Sequence, residues 1–286
     1  MKAVVLFSSG LDSLITLHLL RSFGIDVAAL NIVTPFHDVS EAAKRRAEMY
    51  GFPCYVRQTG EEYVPLVMKP RWGYGTAVNP CIDCRIRMCR MAGELMREIG
   101  ADFAATGEIT GQRPNSQKQH QLLLIDRESG LSGYLLRPLS ARVLPPTEVE
   151  KRGFIDREKL LGFSGRGRGH LIRLAQSFGV KEIPQPASGC LLCEKTFAPR
   201  ILDTMKHIPE PTCWDFRILR FGRLLRINES LRCVIARDVK DCRNLARLFE
   251  QEDRSASVFL EPENFNGPAL LMVGAAAQEH AALAGA

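Results

Sequence analysis

The sequence predicts an α/β protein with a parallel sheet and helices on both faces, followed by a smaller α+β C-terminal domain. Three observations carry this expectation. Val4 to Phe7 are four apolar residues, two of them β-branched, and they read as a short buried strand. The strand runs into the small-residue turn Ser8-Ser9-Gly10 and then a helical pattern with Leu14, Leu17 and Leu20 on one face. Strand and helix patterns alternate from there to Val56, as in βαβ units, whereas short apolar runs and one polar helix fill the last third of the chain.

In chain order, Gly24 closes the first helix and Val27 to Val33 gives a second buried strand. Asp38 with Glu41 three residues on is a capping-box-like start for a helix through Met49, which Gly51 ends. Cys54 to Val56 is the third strand. Residues 60–80 read as irregular, with Pro65, Pro70, Trp72, Gly73 and Gly75. Asn79-Pro80-Cys81-Ile82-Asp83-Cys84-Arg85 opens a helix whose apolar face is Met88, Ala92, Leu95 and Ile99, and Cys89 within it reads as packing. Ala101 to Gly107 is a strand and turn, residues 112–117 a polar loop, and Leu122 to Ile125 and Tyr134 to Leu136 read as strands.

Residues 162–169 are too glycine-rich for a helix, and His170 to Phe178 is a short amphipathic helix stopped by Gly179. A domain boundary is expected near Phe197 to Ile201, dividing the chain into 1–198 and 199–286. Beyond it, Phe216 to Ile227 alternates apolar and basic residues. Cys233 to Ala236, Ser257 to Leu260 and Ala269 to Val273 read as strands, Cys242 to Glu250 as a helix, and the alanine-rich last dozen residues as a fraying tail.

Composition narrows the class. With 286 residues, 45% of them hydrophobic, the chain can bury a sizeable core. No early run has the pattern of a signal peptide and none approaches the length of a membrane span, so a cytoplasmic protein without a membrane partner is expected. Nine cysteines, an odd number, in a reducing compartment point to metal or thiol chemistry rather than a disulfide framework. The net charge of +6 is modest, so its meaning lies in where the arginines sit.

A strand, a tight turn and a helix N-terminus make an anion site. Backbone N–H groups of Ser9 to Ser13, the helix dipole and the hydroxyls of Ser8, Ser9 and Ser13 suit a phosphate. The plainer alternative is an ordinary N-cap by Asp12 or Ser13. The turn lacks both the lysine of the Gly-x-x-x-x-Gly-Lys-Ser/Thr loop and the three-glycine dinucleotide fingerprint. It resembles instead the PP-loop, Ser-Gly-Gly-x-Asp-Ser, of the N-type ATP pyrophosphatases, with Ser9 where the second position is usually Gly. A serine adopts a positive φ less cheaply than a glycine. The resemblance implies an adenine nucleotide alpha-hydrolase-like fold and cleavage of ATP between the α- and β-phosphates. It also implies nucleotide contacts from Phe7, Ser8, Ser9, Gly10, Leu11, Asp12, Ser13, Val33, Thr106 and Gly107, with Asp12 positioning Mg²⁺ or pyrophosphate.

Cys81-x-x-Cys84 and Cys190-x-x-Cys193 are the next sharp feature. Four thiolates suit a structural zinc, three suit an iron–sulfur cluster with one open iron, and one thiol from each pair suits a persulfide–disulfide cycle. Asn79-Pro80-Cys81-x-x-Cys84, Ala105-Thr106-Gly107 and Ser188-Gly189-Cys190 with Phe197 downstream resemble the ordered motifs of tRNA thiouridylases, over roughly the first two thirds of the chain. The relatives meant are the 2-thiouridylases and the PP-loop domain of the 4-thiouridine synthetases. That resemblance implies adenylation of a uracil carbonyl and replacement of AMP by sulfur. It further implies a [4Fe-4S] cluster on Cys81, Cys84 and Cys190, a set from which Cys193 departs. Cluster ranks above persulfide, which would use Cys84 and Cys190, and persulfide above zinc.

In the tail, Phe221-Gly222-Arg223-x-x-Arg226-Ile227 and Val234-Ile235-Ala236-Arg237 resemble the RNA-binding domain of NFACT proteins. Arginines among aromatics fit phosphate contacts and base stacking, and solvated arginines on a strand are the bland alternative. The function expected is an ATP-dependent tRNA sulfurtransferase with Asp12, Cys84 and Cys190 as catalytic residues and ATP and Mg²⁺ as cofactors. Arg166, Arg168, Arg217, Arg220, Arg223 and Arg226 are expected to hold the tRNA. A cysteine desulfurase, sulfide or a carrier protein would supply the sulfur. A PP-loop ligase with structural zinc and a non-catalytic zinc-containing RNA-binding protein are the rival readings.

Overall fold

The structure is a computed structural model of the chain and describes residues 1–185 and 189–284. The elements run β1 (Lys2–Leu6), α1 (Leu11–Ser22), β2 (Asp26–Val33), α2 (Ser40–Met49), β3 (Cys54–Gln58), α3 (Tyr63–Met68), α4 (Cys81–Ile99), β4 (Phe103–Thr106), α5 (Gln119–Glu128), β5 (Leu135–Leu136), α6 (Glu148–Lys151) and α7 (Gly169–Ser177). They continue as α8 (Ala198–His207), α9 (Cys213–Arg217), β6 (Arg223–Arg226), β7 (Arg232–Ile235), α10 (Val239–Phe249), β8 (Ser257–Leu260), β9 (Leu270–Val273) and α11 (Ala277–Ala284). Two compact units result: one of Met1–Thr59, Pro70–Gly75 and Pro80–Gly189, the other of Gly60–Lys69, Thr76–Asn79 and the chain from Cys190.

The first unit is a five-stranded sheet in the order β3-β2-β1-β4-β5, parallel throughout. β1 is central: Val5 pairs with Ala29 on one side and with Ala105 on the other. Successive side chains of a strand point to opposite faces, so β1 feeds two cores. Ala3, Val5 and Phe7 join Leu14 and Leu17 of α1 and Ala43 and Ala47 of α2. Val4 and Leu6 join Ile86, Ala92 and Leu95 of α4 and Ile125 of α5. Burial on both faces is why these strands read as unbroken apolar runs, and each fully buried aliphatic side chain contributes roughly 1.5–3 kcal/mol. The strand order reverses between β1 and β4, and in such sheets ligands bind outside the carboxyl ends of the strands at that switch.

The second unit carries a four-stranded antiparallel sheet, β6-β7-β9-β8. Leu231, Cys233, Met272 and Ala277 form a core cluster there. Trp214 is fully buried and donates its indole N–H to the Leu248 carbonyl at 2.7 Å. Arg232 is buried with its guanidinium on Asp215 at 2.6 Å and Thr204 Oγ1 at 2.8 Å. Helices with an antiparallel sheet make this unit α+β, as expected.

Several elements differ from the sequence expectations. Leu122 to Ile125 is not a strand but part of α5: Leu122 and Ile125 are buried and Leu123 is exposed, a three-residue period hidden inside a four-residue apolar run. Phe216 to Ile227 is broken into the end of α9, a 3₁₀ turn at Ile218–Arg220 and strand β6. Thr212 starts α9 with a capping box to Asp215, which the alternating pattern masked. Helix α2 starts without a capping box, because Asp38 accepts from the Ser40 N–H and hydroxyl at 3.0 and 2.7 Å instead. Residues 60–80 include the short helix α3. The alanine-rich end forms helix α11, with Ala277 buried in the second core.

Candidate functional site

Everything in the expected nucleotide turn belongs to the first unit. Phe7 is buried at the end of β1, its N–H bonded to the Leu30 carbonyl at 2.8 Å and its own carbonyl accepting from Asn31 Nδ2 at 2.8 Å. Ser8 is exposed, Ser9 and Leu11 are buried, and Gly10 stands extended as the N-cap of α1. Having no side chain, Gly10 caps nothing, so the first-turn N–H groups of α1 gain no side-chain acceptor and stay available to an anion. The turn is braced from within: Ser13 Oγ donates to the Gly10 carbonyl at 3.0 Å and lies 3.4 Å from Ser8 Oγ.

Ser9 adopts φ +60°, which makes it the one non-glycine residue with a positive φ among the described residues. The left-handed region costs an L-residue roughly 1–2 kcal/mol. Arg46 of α2 reaches this turn, and its Nη1 donates to both the carbonyl and the hydroxyl of Ser9.

The end of the neighbouring strand lies against the turn. Gly107 follows β4 and backs directly onto the start of α1, where an added Cβ would sit 2.6 Å from Asp12 C and Ser13 N. Only a glycine lets the two chain segments meet this closely. Asp12 is half-buried, and one carboxylate oxygen accepts from Gln112 Nε2 at 3.0 Å. Thr106 is buried, with its hydroxyl donating to Glu108 at 3.1 Å rather than facing outward unpaired. Val33 ends β2, half-buried, and accepts from the Thr59 N–H at 2.9 Å.

A charge network centres on Glu108, two residues past β4. Buried Glu108 pairs with Arg137 at 3.2 Å and with Arg85 at 3.5 Å, and Arg137 also binds Asp126 at 2.6 Å. Burial would lower the Arg85 pKa, but Glu108 and the Cys84, Cys89 and Cys81 thiols around it hold it above its ordinary value. Arg85 is therefore a fixed cation between the carboxyl end of β4 and the thiols at the start of α4.

Cys81 and Cys84 stand one turn apart at the start of α4, half-buried, with the Cys84 N–H on the Pro80 carbonyl at 2.9 Å. Asp83 between them is buried and accepts from the N–H groups of Arg71 and Trp72 at 2.9 and 3.2 Å. Cys190 and Cys193 belong to the second unit and flank a 3₁₀ turn, their Sγ atoms 4.0 Å apart. Ser188 lies outside the described residues. Among the described residues, no three or more His, Cys, Asp or Glu side chains gather in a metal-holding arrangement. Each Cys-x-x-Cys pair is formed locally by one helical turn, Cys81 and Cys84 in the first unit and Cys190 and Cys193 in the second.

The arginines divide. Arg166 is exposed on the glycine-rich segment, which is pinned beside β4 by the Gly165 N–H to the Thr110 carbonyl at 2.8 Å. Arg168 donates to the Pro184 carbonyl at 3.1 Å. In the second unit Arg217 pairs with Asp253 at 2.7 Å, and Arg226 forks onto Asp203 at 2.5 and 3.1 Å. Arg220 lies over the Phe221 ring at 5.2 Å, and Arg223 is exposed on β6.

Sequence reasoning missed Arg46, Gln112, Glu108 and Arg137, which act across 29 to 100 residues and leave no local pattern. A polar residue inside the second apolar strand, Asn31, was the one readable signal.

No family model matches the chain. It is 28% identical over 152 residues to the tRNA-specific 2-thiouridylase MnmA of Bartonella quintana (strain Toulouse), covering 47% of this chain and 37% of that protein. To the protein of the same name from Geobacter metallireducens it is 30% identical over 131 residues, covering 37% of this chain and 34% of that one. A solved 4-thiouridine synthetase–RNA complex with bound ATP shares 20% identity at a TM-score of 0.45, covering 73% of this chain and 51% of that chain. The chain thus spans roughly a third of the length of the curated relatives it matches, and its sequence likeness is to tRNA-specific 2-thiouridylases.

Proposed function

We propose that this protein is an ATP-dependent tRNA sulfurtransferase that adenylates a uridine carbonyl and replaces the AMP with sulfur. The observation that carries the proposal is the Ser8 to Ser13 turn: an uncapped helix N-terminus, packed against Gly107 at the switch point of a doubly wound sheet. The likeness to tRNA-specific 2-thiouridylases supports the substrate class.

In this reading ATP phosphates lie on the N-terminus of α1, with Phe7 to Ser13, Val33, Thr106 and Gly107 around the nucleotide. The uridine oxygen attacks the α-phosphorus and pyrophosphate leaves. The chief catalytic demand is to stabilise charge on that leaving group, which the α1 N–H groups and serine hydroxyls meet, with Asp12 held by Gln112 to position Mg²⁺. Residues 1–198 supply this chemistry, and residues 199–286 act as an RNA-binding domain of NFACT type in which the arginines, Arg223 foremost, meet the backbone of the tRNA. The expected location is the cytoplasm.

The sulfur step is proposed for the thiols themselves. A donor that already carries a persulfide, such as a cysteine desulfurase, passes its outer sulfur to the Cys84 or Cys190 thiolate and is left as a thiol; the outer sulfur of the new persulfide attacks the adenylated carbon as AMP leaves. The other thiol then attacks the inner sulfur, forming a disulfide and leaving the thiocarbonyl on the base, and a thiol reductant resets the pair. A [4Fe-4S] cluster, which Cys81, Cys84 and Cys190 would hold, is the other carrier proposed for that sulfur. Iron, sulfide and zinc analysis after anaerobic purification tests that choice: stoichiometric iron and sulfide would transfer the sulfur step to a cluster, and zinc alone would favour the ligase or RNA-binding alternatives. Nucleoside mass spectrometry of tRNA from a strain lacking the gene tests the function, with loss of one thiolated uridine expected and an unchanged profile overturning it.

A further inference from the structure

We propose that Arg46 is a positioning residue that lets Ser9 occupy the left-handed position of the phosphate turn, so that the pair replaces a glycine; the proposal rests on the reading of this turn as the ATP site.

The residue before Gly10 must take φ +60° for the chain to leave β1 and enter α1 with the helix N-terminus open. Glycine reaches that conformation freely and serine does not. In this chain the position is serine, and it is buried. What distinguishes it from its neighbours is a guanidinium: Nη1 of Arg46 donates at once to the Ser9 carbonyl and the Ser9 hydroxyl. Two acceptors of one residue on one nitrogen fix both the peptide plane and the side-chain rotamer, which is what an unfavourable backbone conformation needs in order to persist.

Arg46 is itself well placed to do this. Ala43 and Ala47, one on either side of it in α2, are buried in the same core as Leu14 and Leu17 of α1. The helix that carries the guanidinium and the helix that begins at the turn are therefore registered against each other through the core. The rest of the guanidinium has no protein partner among the described residues, which leaves open a direct contact with phosphate and defines the rival account to be tested.

A double-mutant cycle separates the two. Affinity for Mg·ATP and thermal melting are measured on the full chain for wild type, Arg46→Met, Ser9→Gly and the double variant. The expected result is that Arg46→Met weakens ATP binding about tenfold and lowers the melting temperature by roughly 2–4 °C when Ser9 is present. In the Ser9→Gly background the same substitution should change either quantity little, because glycine needs no support. An equal loss of ATP affinity in both backgrounds overturns the proposal and assigns Arg46 to the phosphates. If wild type binds no ATP, the ATP reading of the turn fails, and the melting cycle alone still decides the pairing: equal shifts in both backgrounds refute it.

Discussion

Gly107→Ala is the sharpest perturbation of the site. The added methyl would lie 2.6 Å from Asp12 C and Ser13 N and 2.7 Å from Asp12 O, about 0.8 Å inside the 3.4 Å at which contact becomes ordinary. All three atoms are backbone, and the helix they begin is locked by Leu14 and Leu17 in the core, so no side chain can swing aside. Either β4 or the first turn of α1 must move by most of an ångström. Overpacking of this kind costs about 1–3 kcal/mol, and a backbone clash belongs at the upper end, near 3 kcal/mol. With ATP on this turn as proposed, displacing the N–H groups of α1 by that distance should also cost about 10²-fold in adenylation. Urea unfolding and ATP–pyrophosphate exchange measure the two effects, with Gly169→Ala as the control. At Gly169 the nearest atom is the Arg173 guanidinium at 3.7 Å, and a change within about 0.5 kcal/mol is expected. A Gly107→Ala protein that unfolds and exchanges like wild type would refute the close-approach argument.

Three further outcomes are expected. His18 is buried against Phe178, Tyr50 and Phe52; burial, with Arg21 beside it, lowers its pKa from 6.5 to about 4. The fold favours the neutral ring, so its contribution is complete above pH 6.5 and is lost as pH falls toward 4, by about 3 kcal/mol in all. Urea midpoints across that range should flatten in His18→Phe. Arg137→Met would leave buried Glu108 with Arg85 alone and take the guanidinium from half-buried Asp126, at a cost of about 3 kcal/mol in unfolding free energy. If the second unit binds RNA as proposed, Arg223→Ala weakens tRNA binding and reduces the salt-dependence slope by about one. Arg226→Ala should instead lower the melting temperature, since its guanidinium is committed to Asp203.

Much of the fold could be read in advance. The run from Val4 to Ser13 announced a buried strand, a small-residue turn and a helix, and the alternation that follows announced a parallel sheet. Where the reading failed, the period was ambiguous. Leu122 to Ile125 is too short a run to tell strand from helix, and Phe216 to Ile227 alternates apolar and basic residues although the end of α9, a 3₁₀ turn and β6 divide it.

The sequence by itself determined the alternation of strands and helices, the strand-turn-helix from Val4 to Ser13 and the two local cysteine pairs, because each depends on residues close to one another in the chain. Tertiary structure alone decided that Ser9 is held left-handed by Arg46, that Asp12 is tied to Gln112, and that Glu108 sits between Arg85 and Arg137. Those partners are set by how the helices pack on the sheet, and a contact between residues 37 or 100 positions apart leaves no period in the chain.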